Sequence, residues 1–232
     1  MHSWFKHYPK GTPHTIDVPK FRSIAECLDH ACNRFGPRTS ITCMGADITY
    51  KHYELLASRL ASYLQNHAGI GEGDRVAIML PNVIQFPIAF YAVQKIGAIC
   101  VNTNPLYTPR EMEHQFKDSG AKAIIMIDLF MDKLEEIIGK TQIKTVIQTG
   151  IADQLPTWKG ALIATVMRLK KLIPKHGLKS VSFKAALRIG GAQPYKKTTA
   201  KLEDVALLQY TGGTTGVSKG AMLTNKNILS NM

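Results

Sequence analysis

The sequence predicts an α/β fold, a largely parallel sheet flanked by helices. Short apolar runs typical of buried strands alternate with longer segments whose apolar residues recur at helical spacing. The chain has 232 residues, 45% of them hydrophobic, with 18 Gly and 11 Pro, so it can bury a substantial core and form many short elements. We therefore expect one large globular unit, or one and part of another.

The first predicted elements are a hairpin followed by a helix. SITCM and DITYK are two short strands on either side of Gly45 and Ala46. The next segment, KHYELLASRLASYLQNH, carries leucines at helical spacing and predicts an amphipathic helix.

The apolar block VAIMLPNVIQFPIAFYAVQKIGAICV follows, and its length raises the question of a membrane span. Pro81, Pro87 and Lys95 interrupt it, whereas a span needs roughly 20 uninterrupted apolar residues. We therefore predict a buried strand, a helix within residues 82–96, and a second strand at ICVNT.

The segment TPREMEHQFKDSGA contains signals for both ends of a helix. Thr108 is placed as the N-cap, Pro109 as the first helical residue, Glu111 as the partner in a capping box, and Gly120 as the stop. A strand at AKAIIMI, a helix over 130–138 and a strand at KTVIQT continue the alternation, which favours a parallel sheet covered on both faces.

The basic residues are concentrated in one segment. Residues 167–201 contain ten Lys or Arg and no Asp or Glu, whereas the rest of the chain has 19 basic and 17 acidic residues. Such local charge indicates a patch with a partner rather than a general nucleic-acid binder. A solvated linker that is merely basic explains the composition equally well, and both interpretations stay open.

Cysteine and histidine give no sign of a metal centre. Cys27, Cys32, Cys43 and Cys100 form no C-x-x-C pair, and the histidines form no ligand cluster. The first residues, MHSWFKHYPKG, lack the apolar run of a secretory signal. We expect reduced thiols in the cytoplasm, and assign no metal-ligand role to any Cys or His.

The final stretch is predicted as the strand DVALLQY, a loop over Tyr210–Gly220, the strand GAMLT, and a helix capped by Thr224 or Asn225. Glycines let backbone N–H groups approach an anion, while the threonine hydroxyls and the Lys219 charge add further phosphate donors. We call residues 210–220 the phosphate loop.

The phosphate loop departs from two common nucleotide motifs. A P-loop has lysine directly after glycine and a hydroxyl residue after the lysine, whereas here Ser218 precedes Lys219 and Gly220 follows it. The dinucleotide fingerprint is also absent. A flexible hairpin would explain the glycines but not the clustered hydroxyls and lysine.

The stretch YTGGTTGVSKGAMLTNKN resembles the phosphate-binding signature of the adenylate-forming acyl-CoA synthetase superfamily, which usually has Ser at the position of Gly212 and Pro at that of Ser218. The Gly-Gly pair and the small residue before Lys219 are similar to the bacterial long-chain fatty acid–CoA ligases. WFKHYP, ITYKHYELLASRLASYLQ, the block containing NPLYTPRE, and LIPKHGLKSVSFKAAL are similar to them in the same order.

The resemblance implies a reaction of two steps. ATP and a long-chain fatty acid give an acyl-adenylate and pyrophosphate, and the CoA thiol then displaces AMP. It implies that Thr214 binds Mg²⁺ and phosphate, and that Thr214 and Lys219 act in catalysis. The residues it places around ATP are Tyr210, Thr211, Gly212, Gly213, Thr214, Thr215, Gly216, Val217, Ser218, Lys219 and Gly220.

The resemblance also implies that 1–232 is an incomplete large N-terminal domain, inactive alone. Its parts would be an α/β core at 39–150, a basic connecting segment at 151–203, and the strand, phosphate loop and helix start at 204–232. The adenine, ribose and CoA contacts would lie beyond Met232. Two alternatives stay open: a free-standing nucleotide or polyanion-binding module, and a synthetase of the same superfamily acting on aryl or other acids.

We expect ATP, Mg²⁺, CoA and fatty acid as ligands, no nucleic acid, and a homodimer as one further partner state. We also expect peripheral attachment to the inner face of the cell membrane through Met167–Lys201. That segment combines its charges with apolar residues suited to a lipid interface. They are Leu169, Leu172, Ile173, Leu178, Val181, Phe183, Leu187 and Ile189.

Overall fold

The computed structural model describes residues 2–17, 19–211 and 218–232, with the backbone but not the side chain of Thr157. Its strands are β1 Thr39–Cys43, β2 Ala46–Thr49, β3 Arg75–Met79, β4 Ile99–Asn102, β5 Ala123–Ile127, β6 Thr145–Thr149, β7 Val181–Ser182, β8 Val205–Thr211 and β9 Lys219–Thr224. Its helices are α1 Ile24–Phe35, α2 Tyr50–Asn66, α3 Gln85–Lys95, α4 Pro109–Ser119, α5 Met131–Ile137, α6 Thr157–Leu169, α7 Phe183–Gly190 and α8 Asn225–Leu229. Short 3-10 turns cover Ser3–His7, Asp128–Phe130 and Ile138–Lys140.

A seven-stranded sheet with the order β7-β6-β5-β3-β4-β8-β9 organises the molecule. All neighbouring pairs are parallel except β8 and β9, which are antiparallel. The β1–β2 hairpin stands apart as a second, two-stranded sheet. The α/β prediction with a largely parallel sheet is therefore confirmed.

The core has two layers, one on each face of the sheet. Along β3, Val76 and Ile78 pack into the layer that contains α2, α3 and α7. Ala77 and Met79 point the other way, into the layer formed by α4 and α5. All four side chains are fully buried because helices cover both faces of the sheet at β3. This explains why the strand is apolar at each of these positions.

Helix α4 begins and ends where its sequence signals place it. The Thr108 side chain accepts from the backbone N–H of Glu111, the Glu111 carboxylate accepts from the backbone N–H of Thr108, and Pro109 is the first helical residue. Gly120 closes the helix in the left-handed region at φ 61°.

At α8 the N-cap is Thr224, so the choice between Thr224 and Asn225 is settled in favour of Thr224.

Four elements were not predicted from the sequence: α1, α6, β7 and α7. The last three lie within 151–203, the segment predicted to be a basic connection. β7 extends the sheet by pairing with β6. At Gly190 a Cβ would lie 1.9 Å from the Arg59 carbonyl oxygen on α2, so α7 packs against α2 at a distance that only glycine allows.

The apolar residues expected to face a membrane divide into two groups. Phe183 and Leu187 are buried, while Val181 and Ile189 pack against the core, so their assignment to a lipid interface is wrong. They point inward because α7 is an amphipathic helix that covers the sheet. Leu178 is also packed against buried residues. The exposed members are Leu169, Leu172 and Ile173.

No helix in the described part of the chain is both long enough and apolar enough to cross a membrane. The long apolar block that raised this question forms β3, α3 and β4, as predicted.

Candidate functional site

The β8–β9 hairpin brings the two ends of the phosphate loop together. Thr211 pairs with Lys219, and Tyr210 pairs with Gly220. Because β8 is parallel to β4, the loop begins at the carboxyl edge of the sheet, where α/β proteins bind their ligands. The predicted ATP contacts between these ends lie outside the described residues; they are Gly212, Gly213, Thr214, Thr215, Gly216 and Val217.

The side chains at the base of the loop project to two sides. Directly opposed residues of an antiparallel pair share a face, and the faces alternate along the strands. Thr211 and Lys219 are both exposed, whereas Tyr210 is buried and Gly220 half-buried. The Thr211–Lys219 pair therefore lies on an exposed face of the hairpin, while the Tyr210–Gly220 pair faces the protein.

Tyr210 supports the loop from below. Its hydroxyl donates a hydrogen bond of 2.5 Å to Oδ2 of Asp118, near the end of α4. Burial raises the pKa of the Tyr210 phenol, and the neighbouring Asp118 carboxylate raises it further. The phenol therefore stays protonated and acts as a donor, which makes Tyr210 an anchor for β8.

His114 supports the other end of the loop. Its Nε2 lies 3.0 Å from the backbone carbonyl oxygen of Ser218, just before β9. A carbonyl oxygen only accepts, so this contact requires the proton on Nε2. His114 and Asp118 are four residues apart and lie on the same face of α4. One helix thus holds both ends of the phosphate loop.

Gly220 fits closely over the ring of Tyr210. A Cβ on Gly220 would lie 2.9 Å from both Cε2 and Cζ of that ring, closer than carbon atoms normally pack. The phosphate loop therefore uses this glycine for packing against Tyr210, in addition to any role near phosphate.

The end of β4 is linked to the same framework. Asn102 donates from Nδ2 to Oε1 of Gln209 on β8, over 3.1 Å. The backbone carbonyl of Asn102 accepts from Nε2 of Gln115 on α4, over 2.8 Å. These side-chain bonds fix the carboxyl edge where the loop starts.

We did not predict from the sequence that α4 supports the phosphate loop, although its N-cap and C-cap were predicted. The available signal was the four-residue spacing of His114 and Asp118, which places two polar side chains on one helical face. The sequence could not indicate that this face meets β8 and β9, because the contacts join residues 92 and 104 positions apart.

A second polar cluster lies at the carboxyl ends of β5 and β6. Gln85 donates from Nε2 to Thr149 Oγ1 over 3.0 Å, and that hydroxyl donates to Oδ2 of Asp153 over 3.0 Å. Nearby, burial raises the pKa of Asp128 to about 6, and the Asp153 charge adds to the effect. This cluster stabilises the turn after β6.

No group of three His, Cys, Asp or Glu side chains that could hold a metal occurs across residues 2–17, 19–211 and 218–232. Cys27, Cys32, Cys43 and Cys100 are free thiols. Burial raises the pKa of Cys100 well above its usual range, so this thiol is an unreactive core residue.

The two ends of a glycine- and hydroxyl-rich stretch thus lie at the carboxyl edge of a largely parallel sheet, an arrangement typical of nucleotide-binding proteins of the α/β class. The family model described as AMP-binding enzyme matches residues 28–232. The chain therefore belongs to the family of AMP-binding enzymes.

The chain is also similar to individual curated proteins named long-chain-fatty-acid–CoA ligase. The chain is 44% identical over 231 residues to the long-chain-fatty-acid–CoA ligase of Salmonella typhimurium, covering 99% of this chain and 41% of that protein. The ligases of the same name from Escherichia coli O157:H7 and Bacillus subtilis are 42% and 35% identical, with 99% and 98% of this chain covered and 41% of each relative. The chain thus spans about two fifths of the length of the curated relatives it matches.

Solved structures share the fold. A long-chain-fatty-acid-CoA ligase from Archaeoglobus fulgidus is similar with a TM-score of 0.73 and 25% identity, covering 97% of this chain and 40% of that one. The anthranilate CoA ligase AuaEII, in complex with anthranoyl-AMP, also gives a TM-score of 0.73 at 22% identity, covering 90% and 36%.

Proposed function

We propose that the protein carrying this chain uses ATP to convert a long-chain fatty acid, through an acyl-adenylate, to its CoA thioester. The observation that carries the proposal is the phosphate loop itself, held at both ends by α4 in a chain of the AMP-binding enzyme family. The identity of 44% to a long-chain-fatty-acid–CoA ligase supports the substrate class.

The proposed chemistry balances in two steps. A fatty-acid carboxylate oxygen attacks the α-phosphorus of ATP, and the bond to pyrophosphate breaks. The CoA thiol then attacks the acyl carbonyl, AMP leaves, and the thiol proton passes to solvent. Backbone N–H groups of the loop and the exposed Lys219 ammonium would offset the charge that grows on pyrophosphate.

We further propose that Mg²⁺ is bound with the ATP phosphates, with Thr214 as a protein ligand. Mg²⁺ is commonly held by few protein groups together with substrate phosphates. The Thr211 hydroxyl is exposed at the start of the loop, and hydroxyl oxygens are hard ligands of the kind that suits Mg²⁺. The ion would neutralise phosphate charge during displacement.

A product analysis tests the proposed function. The protein at the length of its relatives is incubated with palmitate, ATP, Mg²⁺ and CoA, and the products are identified by mass spectrometry. Palmitoyl-CoA and AMP in equal amounts are expected, and residues 1–232 alone should form neither. ADP in place of AMP, or no thioester, would contradict the proposal.

The two alternatives give different results in simple assays. A synthetase for aryl acids would prefer a 4-coumarate type of substrate, and the chain is 28% identical to 4-coumarate–CoA ligase 2 of Oryza sativa, less than to the long-chain ligases. A free-standing polyanion-binding module would bind ATP and nucleic acid with the same salt dependence and form no product.

We also propose peripheral attachment to the inner face of the cell membrane through Met167–Lys201. The exposed side chains of Lys170, Lys171, Lys175 and Lys179 support it electrostatically. A homodimer stays a separate prediction, and light scattering of the protein tests it.

A further inference from the structure

A cavity lies at the amino edge of the sheet, the edge opposite to the phosphate loop. It has a volume of about 240 Å³ between the first residues of β4 and β8, the end of α3, and the starts of α1 and α8. Pockets for drug-sized ligands have about 300–1,000 Å³, so this cavity suits a smaller molecule. We call it the amino-edge cavity. Its polar lining residues are Ser23, Glu72, Gln94, Asp204 and Asn225.

An extended segment, residues 192–201, contributes one wall of the amino-edge cavity through Ala200. The segment is fixed to α2, because the Ser62 hydroxyl donates to the backbone carbonyl of Gln193 over 2.7 Å. At its far end, the Asn225 side chain on α8 donates to the backbone carbonyl of residue 201 over 3.0 Å. The wall is therefore held in place at both ends.

Gly97 lets the rim of the cavity close tightly. It adopts φ 67°, and a Cβ at this position would lie 2.8 Å from Cγ2 of Thr198 and 3.3 Å from Cγ of Glu72. The side chains of Thr198 and Glu72 therefore meet over Gly97. This contact holds the exposed Glu72 at the mouth of the cavity that it lines.

Gln94 presents an unsatisfied acceptor inside the cavity. The residue is only 6% exposed, and its Nε2 donates to the backbone carbonyl of Ala206 over 3.0 Å, which fixes the orientation of the amide. No residue that the structure describes donates to the Oε1 of Gln94. Because protein atoms do not enclose this oxygen either, it opens into the cavity. An acceptor buried to this degree normally has a donor, so this oxygen indicates a ligand.

Two carboxylates give the cavity a negative charge. Glu72 and Asp204 line it, and no basic side chain does so among the described residues. Asp204 uses Oδ2 to accept from the backbone N–H of Lys201 over 2.7 Å, which leaves Oδ1 for a ligand. Across the described ranges, neither carboxylate forms an ion pair. A cationic donor complements these groups, since charge-assisted hydrogen bonds are the strong ones.

We propose that the amino-edge cavity binds a short aliphatic diamine. Gln94 and Asp204 lie together at the start of β8, whereas Glu72 lies against Gly97 ahead of β4, so the acceptors form two separate groups. An ammonium has three N–H donors and no acceptor, and one at each end of the ligand would serve both groups. The walls that would contact its methylene groups are Ala98, Ile99, Ala200, Val205 and Ala206.

Other cations fit the lining less well. A single ammonium would leave one of the two carboxylates without a partner. A metal ion is disfavoured because no group of three His, Cys, Asp or Glu side chains suited to a metal occurs in the part of the chain that the structure describes. The apolar walls also have no function toward a bare ion, whereas they bury an aliphatic chain.

The amino-edge cavity is separate from the proposed adenylation chemistry. It touches β8 at its first residues, and the seven residues of β8 place the phosphate loop about 20 Å away at ~3.3 Å per residue. A ligand that binds only the folded protein stabilises it by mass action. Diamine binding should therefore raise the melting temperature whether or not ATP is present.

Calorimetric titration with 1,4-diaminobutane tests the proposal on the protein at the length of its relatives, at constant ionic strength. We expect saturable binding of one molecule and a raised melting temperature. 1-Aminobutane, which keeps one charge, should bind about tenfold more weakly, equivalent to ~1.4 kcal/mol. The uncharged 1,4-butanediol should not bind, and Ca²⁺ should not displace the diamine.

Matched variants assign the binding to this cavity. Glu72→Gln and Asp204→Asn should each weaken binding about tenfold, equivalent to ~1.4 kcal/mol. Asp204→Asn keeps an oxygen for the Lys201 N–H, and Glu72 is exposed, so both variants should fold. Glu203→Gln removes an exposed acid beside Asp204 that does not line the cavity, and should leave the affinity unchanged. Ala200→Phe should fill the cavity and abolish binding.

The proposal would be overturned by the absence of saturable binding, by equal affinities for the diamine and 1-aminobutane, or by equal losses in Glu203→Gln and Asp204→Asn. Displacement of the diamine by Ca²⁺ at the same concentration would assign the cavity to a metal instead. Failure of the proposed function is a different result, because thioester formation is measured without diamine. Diamine binding by a protein that forms no thioester would contradict only the proposed function.

Discussion

The hydroxyl of Tyr210 donates a hydrogen bond of 2.5 Å to the Asp118 carboxylate, and so joins β8 to α4 at the base of the phosphate loop. The contact spans 92 positions in the sequence. Together with the bond between His114 and the Ser218 carbonyl, it makes α4 the support of both loop ends.

A double-mutant cycle measures the Tyr210–Asp118 contact. Tyr210→Phe and Asp118→Ala should each lower the free energy of unfolding, and their coupling should be about 1–3 kcal/mol because the bond has a charged acceptor and is half-buried. Urea unfolding gives the energies. Tyr50→Phe, whose hydroxyl makes no bond within the described chain, is the control. A coupling near zero would remove the contact from the support of the loop.

Gly220→Ala should disturb the loop through packing. The new Cβ would lie 2.9 Å from the Tyr210 ring, and overpacking of this kind typically costs about 1–3 kcal/mol. We expect a lower unfolding free energy and a raised KM for ATP. Gly139→Ala meets no atom within 4 Å and should leave both unchanged. Equal effects of the two variants would argue against the close fit.

Lys219→Ala should slow adenylate formation by roughly 100-fold, the usual loss when a group that stabilises developing charge is removed. Fatty-acid binding should change much less, because the ammonium acts on the phosphates. Exchange of labelled pyrophosphate into ATP measures the rate. Lys226→Ala removes an exposed charge from α8 and is the control. An unchanged exchange rate in Lys219→Ala would exclude this lysine from the mechanism.

Thr214→Val tests the proposed Mg²⁺ contact. Valine keeps nearly the same size and removes the hydroxyl, so the loss should be about 1–3 kcal/mol. We expect the Mg²⁺ concentration for half-maximal exchange to rise several-fold. If the Mg²⁺ dependence stays normal, the metal contact belongs to another residue.

Asp128 should make stability depend on pH. Its pKa is raised to about 6, above the ~4 of an unfolded aspartate, so the folded state binds more protons between these values. Stability at this site is therefore fully present below pH ~4 and is lost as pH rises to ~6. Asp128→Asn should raise the melting temperature at pH 7 and have little effect at pH 4. Equal shifts at both values would contradict the assigned pKa.

The sequence predicted the central sheet well because its signals are local. The apolar strands β3, β5 and β6 and the caps of α4 depend on neighbouring residues, and each formed as predicted. By contrast, α7 was not predicted, because its basic residues obscured the apolar pattern. The apolar side of the helix is recognised only from its packing against α2. β7 has two residues and no periodicity to detect.

In the candidate site, too, the local features could be predicted from the sequence and the long-range contacts could not. The composition of the phosphate loop indicated phosphate binding, since glycines, hydroxyls and Lys219 occur within one short stretch. The supports could not be predicted, because His114 and Asp118 reach the loop only after β4 and β8 pair. The exposed face of α6, which includes Leu169, could not be predicted either, because the sequence of an apolar helix does not show whether other parts of the protein cover it.

We propose that this chain forms part of an enzyme that activates fatty acids by adenylation. Its most direct test is the exchange of labelled pyrophosphate into ATP, measured with palmitate and without CoA on the protein at the length of its relatives. We expect exchange that requires palmitate and Mg²⁺ and is lost in Lys219→Ala. Exchange that is absent with palmitate, or the same with and without it, would contradict fatty-acid adenylation.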